Sequence, residues 1–149
     1  MQAGKFAFSN INNWGETART FLSTTQAHFV GFSELRVRGD AFQKFLATVS
    51  AMGWRAIAYP GFRKHQQDDE HQDEQDSEGE HFDRSISSGV CVLARSFLDV
   101  LPLAQGPLGS LPRAFDIIGA RCAPAIWRVH GQSFLVVDCY GHSDGGRLT

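Results

Sequence analysis

The sequence has no hydrophobic run long enough to cross a membrane. A membrane-spanning helix needs about 20 consecutive apolar residues, and no apolar run in these 149 residues approaches that length. The N-terminus leads into a short strand-like run and lacks the apolar segment of a signal peptide. These absences predict an intracellular protein, cytoplasmic or nuclear, that does not associate with membranes.

Cysteine is also scarce. The three cysteines, Cys91, Cys122 and Cys139, are scattered along the chain and lack the spacing of a metal site. We therefore interpret them as core residues of a protein in a reducing compartment.

Positive charge is missing from one stretch, residues 66–83. This stretch holds nine of the 16 acidic residues and no lysine or arginine, which leaves seven acidic against 14 basic residues in the rest of the chain. Because the stretch has no apolar periodicity and its charges repel one another, we predict an acidic disordered insert at about 64–84. The basic remainder suits a polyanionic partner such as a phosphate backbone, although a modest basic excess is also common in domains with no such partner. The partner that we expect is nucleic acid, DNA more than RNA.

What the sequence does contain is a globular composition, with 42% hydrophobic residues and 12 phenylalanines. Strand-like runs alternate with helical patterns in the first part of the chain, and strand-like runs alone follow. The strands are predicted at 5–11, 28–33, 54–59, 90–94, 97–103, 117–129 and 133–140, and the helices at 14–25 and 40–52. This order predicts an α+β fold, a mixed β-sheet with two helices on one face, and His130-Gly131 predicts a tight turn.

The runs at 28–33 and 133–140 are largely apolar on both faces, which is typical of strands that are buried on both sides. Two helices can cover only one face of such a sheet. We therefore expect the other face to be open in this chain and to be covered by a partner chain or by the missing C-terminal half of the domain, beyond Thr149.

A carboxylate follows the second of these strands. The stretch from His28 to Arg36 reads His-Phe-Val-Gly-Phe-Ser-Glu-Leu-Arg. Glu34 comes directly after the apolar run, at the rim of the sheet, where ligand clefts of α/β proteins tend to open. Such a glutamate is either a ligand of a hard cation or simply the point at which the strand meets solvent, and on this stretch alone the second interpretation is favoured.

Four stretches, in this order, resemble the N-terminal half of the endonuclease/exonuclease/phosphatase family, the Mg²⁺-dependent phosphodiesterases that include abasic-site endonucleases, DNase I and the endonuclease domains of non-LTR retrotransposons. Residues 9–13, Ser-Asn-Ile-Asn-Asn, are similar to Trp-Asn-Val-Asn-Gly. Residues 28–36 are similar to Asp-Ile-Ile-Gly-Leu-Gln-Glu-Thr-Arg, and residues 88–95 to Gly-Gly-Val-Ala-Ile-Leu-Val-Arg. Arg121 and residues 134–140 are similar to the strand pair that ends in the family's tyrosine.

The resemblance implies the first half of a DNase I-like four-layer α/β sandwich, of which this chain would supply the first sheet and its helices. It implies Asn10, Glu34 and Tyr140 as catalytic residues, with Glu34 as the ligand of Mg²⁺ or Mn²⁺. It also implies four substrate-binding residues, Asn12, Arg36, Arg121 and Ser143. The residues themselves leave simpler roles open: a turn and helix cap for Asn10 and Asn12, an aromatic at a strand end for Tyr140 and a structural ion pair for Arg121.

Two motifs of the family are absent. Its general base lies in a terminal Ser-Asp-His motif, and an Asp-x-Asn motif positions the nucleophile; neither occurs in this sequence. We therefore expect a partial Mg²⁺-dependent endonuclease-like domain that hydrolyses nucleic-acid phosphodiesters only as part of a full domain and is inactive alone. The alternative is a non-catalytic nucleic-acid-binding or interaction module derived from the same fold. A third hypothesis is a hydrolase of the same fold that acts on a lipid or a small phosphate ester.

Overall fold

The computed structural model describes residues 4–63, 73–75, 81–83, 85–102 and 121–140, with the backbone alone for 73–75 and 81–83. Within these ranges the chain forms two helices and eleven strands. In chain order they are β1 (Phe6–Asn10), α1 (Glu16–Thr24), β2 (Phe29–Ser33), α2 (Gly39–Ala51), β3 (Trp54–Tyr59), β4 (Phe62–Arg63), β5 (Asp73–Gln75), β6 (His81–Asp83), β7 (Ile86–Ser87), β8 (Val90–Arg95), β9 (Val100–Pro102), β10 (Cys122–Val129) and β11 (Gln132–Cys139).

The first sheet has the strand order β1-β2-β8-β3. Strands β1 and β2 are parallel, and β8 runs antiparallel to both β2 and β3. Because side chains alternate between the faces of a strand, every second residue of β2 and β8 faces the helices. Those residues are Val30, Phe32, Cys91 and Leu93, and they pack in one core cluster with Ala18, Leu22, Phe45 and Val49 of the helices. The predicted α+β class, with two helices on one face of a mixed sheet, is confirmed.

A second sheet covers the other face of the first one. Its strands are antiparallel, in the order β11-β10-β9. Its inward residues Val100, Ala123, Ala125 and Val136 pack against the remaining residues of the first sheet, Phe29, Ile57, Val90, Val92 and Ala94. The expectation that this face is open within the chain was therefore wrong for β2, β3 and β8. It placed the last strands in the first sheet, whereas they leave it and fold over its exposed face.

The two sheets leave a different apolar surface exposed. Strands β1 and β11 are the outer strands of their sheets, and their aromatic and aliphatic side chains line an open cleft of about 460 Å³. The exposed residues are Phe6, Phe8, Phe134 and Leu135. An exposed apolar patch thus lies between the edge strands β1 and β11.

The ends of several elements follow local rules. The turn between β10 and β11 has His130 at φ 50° and Gly131 at φ 75°; two central residues with positive φ are typical of a two-residue hairpin turn, so the predicted turn is confirmed. Helix α1 begins after Gly15, which makes no side-chain cap.

Within the acidic stretch, strands β5 and β6 pair as a short antiparallel ribbon. The predicted disorder over residues 64–84 stays a prediction, because most of that range lies outside the described residues. No helix within the described ranges is long and apolar enough to cross a membrane.

Candidate functional site

The turn that follows β2 is held in an uncommon backbone conformation. Glu34 has φ 59° and Arg36 has φ 53°, a region that residues other than glycine seldom adopt. The N–H of Leu35, which lies between them, donates to the carbonyl of Gly89 at 3.0 Å. The N–H of Arg36 donates to the carbonyl of Ser88 at 2.9 Å. The turn that precedes β8 therefore fixes the backbone of the two residues that follow Glu34.

Position 89 requires glycine because neighbouring atoms pack closely around it. Gly89 has φ +90°, and a Cβ atom there would lie 3.1 Å from Cβ of Leu35 and 3.2 Å from the backbone nitrogen of Gly61. The carbonyl of Leu35 accepts from the N–H of Trp14 at 2.9 Å, which ties the turn to the end of β1 as well. Strained conformations persist only where the surroundings determine them this fully, and they concentrate at functional sites.

The carboxylate of Glu34 is almost completely buried and has two partners. Its exposed fraction is 9%. The hydroxyl of Tyr140 donates to Oε1 at 2.5 Å, and Nη2 of Arg36 donates to Oε2 at 3.4 Å. Because Tyr140 follows β11, the first of these hydrogen bonds joins the two sheets. The structure therefore brings together three of the residues that the sequence selected.

The guanidinium of Arg36 retains one unused donor. Its Nε–H is buried and has no hydrogen-bond partner among the described residues. A buried donor without an acceptor is costly and calls for an explanation such as a ligand or water. This donor belongs to a side chain that already contacts Glu34.

Two asparagines lie at the same edge of the first sheet. In the parallel register Asn10 pairs with Ser33, so the ends of β1 and β2 lie side by side, one residue before Glu34. Oδ1 of Asn10 accepts from the N–H of Asn12 at 3.0 Å, and Asn12 has φ 63°. This is the local turn that the sequence left open as the simpler role for these two residues. Both side chains are exposed at the edge of the site.

Arg121 lies beside Tyr140. The N–H of Tyr140 donates to the carbonyl of Arg121 at 2.7 Å. The centre of the Arg121 guanidinium is 5.6 Å from the centre of the Tyr140 ring and 5.8 Å from that of Phe62, within the range of cation–π contacts. Arg121 is thus placed at the candidate site, and Ser143 lies outside the described residues.

Sequence reasoning missed a second buried carboxylate, Asp138. Its exposed fraction is 6%, its Oδ2 has no hydrogen-bond partner among the described residues, and its carboxyl carbon lies 3.0 Å from the position of a Cβ on Gly31. Burial raises the pKa of Asp138 from 3.8 to about 6. The alternation of β11 carried a signal for this residue, because Asp138 has the same parity as buried Val136 and therefore points toward the other sheet.

At this site Glu34 alone would supply a carboxylate ligand to a magnesium ion. The described part of the chain holds no cluster of three or more histidine, cysteine, aspartate or glutamate side chains. Mg²⁺ commonly keeps several waters and uses one or two carboxylates together with substrate phosphates, so Glu34 alone meets the minimum. His28 and His130, the histidines whose side chains are described, lie at the far ends of β2 and β11 from this site.

No family model matches the chain, and no curated protein matches it either. The likeness to the endonuclease/exonuclease/phosphatase family consequently rests on the motifs alone.

Proposed function

We propose that the Glu34 end of the two sheets is the phosphate- and metal-binding part of a phosphodiester site of the endonuclease/exonuclease/phosphatase type, with a nucleic-acid backbone as its ligand. One observation carries the proposal: a buried carboxylate sits in a left-handed turn beside a partly buried guanidinium whose Nε–H has no acceptor among the described residues. A phosphate oxygen is an acceptor of the right charge for that donor.

Each residue of the site would have a separate role. Arg36 would bind a phosphate oxygen through its unused Nε–H, and Tyr140, whose hydroxyl donates to Oε1 of Glu34, would hold that carboxylate in place. Glu34 would hold Mg²⁺ or Mn²⁺, which would neutralise the phosphate charge. Asn10 and Asn12 would orient the ligand at the rim, and Arg121 would contact the neighbouring backbone phosphate.

The described residues provide no general base at this site. The two described histidine side chains lie at the opposite ends of their strands, and hydrolysis by water needs a base within hydrogen-bond reach of the nucleophile. We therefore expect these 149 residues to bind metal and phosphodiester without turnover. A supercoiled-plasmid nicking assay with Mg²⁺ that gave Glu34-dependent cleavage would contradict this expectation.

Binding of Mn²⁺ tests the proposal directly. Titration of the protein with Mn²⁺, followed by the electron paramagnetic resonance signal of the free ion, should reveal a saturable site whose affinity falls at least about tenfold in Glu34→Gln. The matched control is Glu16→Gln, since Glu16 is an exposed carboxylate in the first turn of α1. Equal affinities in the two variants would sink the proposed metal site.

A non-catalytic nucleic-acid-binding module is the second candidate. The observation that favours it is that Glu34 already has two protein partners, Arg36 and Tyr140, and so has a structural role without any metal. This alternative predicts DNA binding that weakens with salt and that Glu34→Gln leaves unchanged. Fluorescence anisotropy of a labelled oligonucleotide over a salt series separates the two functions, because the first one requires Glu34 and the divalent ion.

A further inference from the structure

Two cysteines face each other across the second sheet. Cys122 of β10 is paired with Cys139 of β11 in the antiparallel register, and their sulfur atoms are 2.8 Å apart. This separation is closer to the roughly 2.05 Å of a disulfide bond than to the packing distance of two unbonded sulfur atoms. The sequence interpretation of three core cysteines holds for Cys91 and Cys122, which are buried, whereas Cys139 is exposed.

The register places the pair where a cross-strand disulfide fits. The Tyr140 N–H donates to the Arg121 carbonyl, so residues 121 and 140 form a hydrogen-bonded pair. Hydrogen-bonded and non-hydrogen-bonded pairs alternate along an antiparallel ladder, and Cα atoms of the second kind are about 4.5 Å apart. Cys122 and Cys139 form the next pair along, which is of that second kind, and the spacing lies within the range of about 4.4–6.8 Å found in disulfides.

We propose that Cys122 and Cys139 are a modification site, a dithiol that forms a reversible disulfide by exchange with a low-molecular-weight disulfide such as oxidised glutathione. The thiolate of exposed Cys139 attacks one sulfur of the small disulfide, whose S–S bond breaks and releases one small thiol. The thiolate of Cys122 then attacks the Cys139 sulfur and releases the second small thiol. The two protons of the protein thiols end on the two released thiols.

The two sulfurs differ in exposure, and this sets the order of the steps. Cys139 is exposed and Cys122 is buried. Burial, the hydrogen bond to Cys139, the charge of Cys139 and the charge of Asp138 together raise the pKa of Cys122 to about 12. Two of these four causes disappear once Cys139 carries the small thiol, so that Cys122 becomes easier to ionise when its attack is needed. Ring closure should therefore be the slower step and should accelerate as the pH rises.

The third cysteine provides an internal control. Cys91 lies in the core between the first sheet and the helices, fully buried, and burial strongly raises the pKa of its thiol. It should react with neither the small disulfide nor an alkylating agent while the protein is folded. The proposal concerns the two sulfurs only, so it stands or falls independently of the function proposed for Glu34.

The experiment is a thiol count on the whole folded chain after equilibration with oxidised glutathione at pH 8. We expect intact-mass spectrometry to show the loss of two hydrogen atoms, peptide mapping to link residues 122 and 139, and dithiothreitol to reverse the change. Cys91→Ser should retain this disulfide, and Cys139→Ser should abolish it. Three free thiols, a persistent glutathione adduct on Cys139 or a disulfide between two chains would each overturn the proposal, and all are measurable in the unaltered protein.

Discussion

Two buried carboxylates at the sheets' interface, Glu34 and Asp138, have opposite surroundings. Glu34 receives hydrogen bonds from Tyr140 and Arg36, whereas Oδ2 of Asp138 has no hydrogen-bond partner among the described residues. A buried charge is costly unless it is paired. The chain meets that cost at Glu34 by adopting a left-handed turn that places the guanidinium of Arg36 beside it, and leaves it at Asp138, where burial raises the pKa to about 6. Tyr140 and Arg36 thus stabilise the carboxylate of Glu34, whereas Oδ2 of Asp138 has no such partner in the described part of the chain.

Removing the paired carboxylate should have the largest effect. Glu34→Ala leaves the partly buried guanidinium of Arg36 and the hydroxyl of Tyr140 without their acceptor, and we expect the free energy of unfolding to fall by about 3 kcal/mol. Urea denaturation at pH 7 measures it. Asp99→Ala is the control, because Asp99 pairs with Arg128 at 3.0 Å in a half-exposed ion pair, which solvent screens, so that the loss should be much smaller. Similar losses in both variants would show that the Glu34 interactions are no stronger than a surface ion pair.

Changing the backbone that supports Glu34 should have the next largest effect. An alanine at position 89 would adopt an unfavourable φ of +90° and place its Cβ 3.1 Å from that of Leu35, and we expect Gly89→Ala to lose about 2 kcal/mol. Gly131→Ala separates the two causes, because Gly131 also has positive φ but open space around it, so that about 1 kcal/mol should be lost there. If the two losses are equal in thermal or urea denaturation, crowding at the Glu34 turn is absent.

The unpaired carboxylate should respond in the opposite direction. The folded-state pKa of Asp138 is raised to about 6 from 3.8, so the folded protein holds the proton more tightly, and the contribution of Asp138 to stability falls as the pH rises from about 4 to 6. The shift corresponds to roughly 3 kcal/mol. Asp138→Asn removes the cost of burying the charge, but the buried amide also needs hydrogen-bond partners. We therefore expect the free energy of unfolding to rise by about 1.5 kcal/mol at pH 8.

The pH dependence of that gain is the decisive part of the measurement. Urea denaturation of wild type and Asp138→Asn at pH 4 and pH 8 should show the gain at pH 8 and its disappearance at pH 4, where the carboxyl group is protonated in the folded wild type. A variant that is less stable than wild type at pH 8 would mean that the Asp138 carboxylate has a stabilising partner.

The difference between Glu34 and Asp138 also shows which features could be predicted from the sequence. Alternating apolar residues and helical spacing gave the strands of the first sheet and both helices, since burial on a regular element leaves a periodic pattern. The same reasoning assigned Glu34 to the end of β2 and Tyr140 to the end of β11. It did not predict the second sheet over the first, because periodicity identifies a strand but not the sheet it joins. The Glu34–Tyr140 contact and the burial of Asp138 both depend on that packing, whereas the Cys122–Cys139 pair depends on the register of β10 and β11.

The smallest expected effect tests whether the sheets are joined through Glu34. Tyr140→Phe removes one hydrogen bond to a carboxylate that keeps Arg36, and we expect a loss of about 1 kcal/mol in urea denaturation. Because the hydroxyl of Tyr140 and Oε1 of Glu34 are 2.5 Å apart, the two side chains should be energetically coupled. A double-mutant cycle with Glu34→Gln should therefore give an interaction energy of at least about 0.5 kcal/mol. Additive losses would mean that Tyr140 and Glu34 stabilise the protein independently, and the carboxylate would then be held by Arg36 and its own turn.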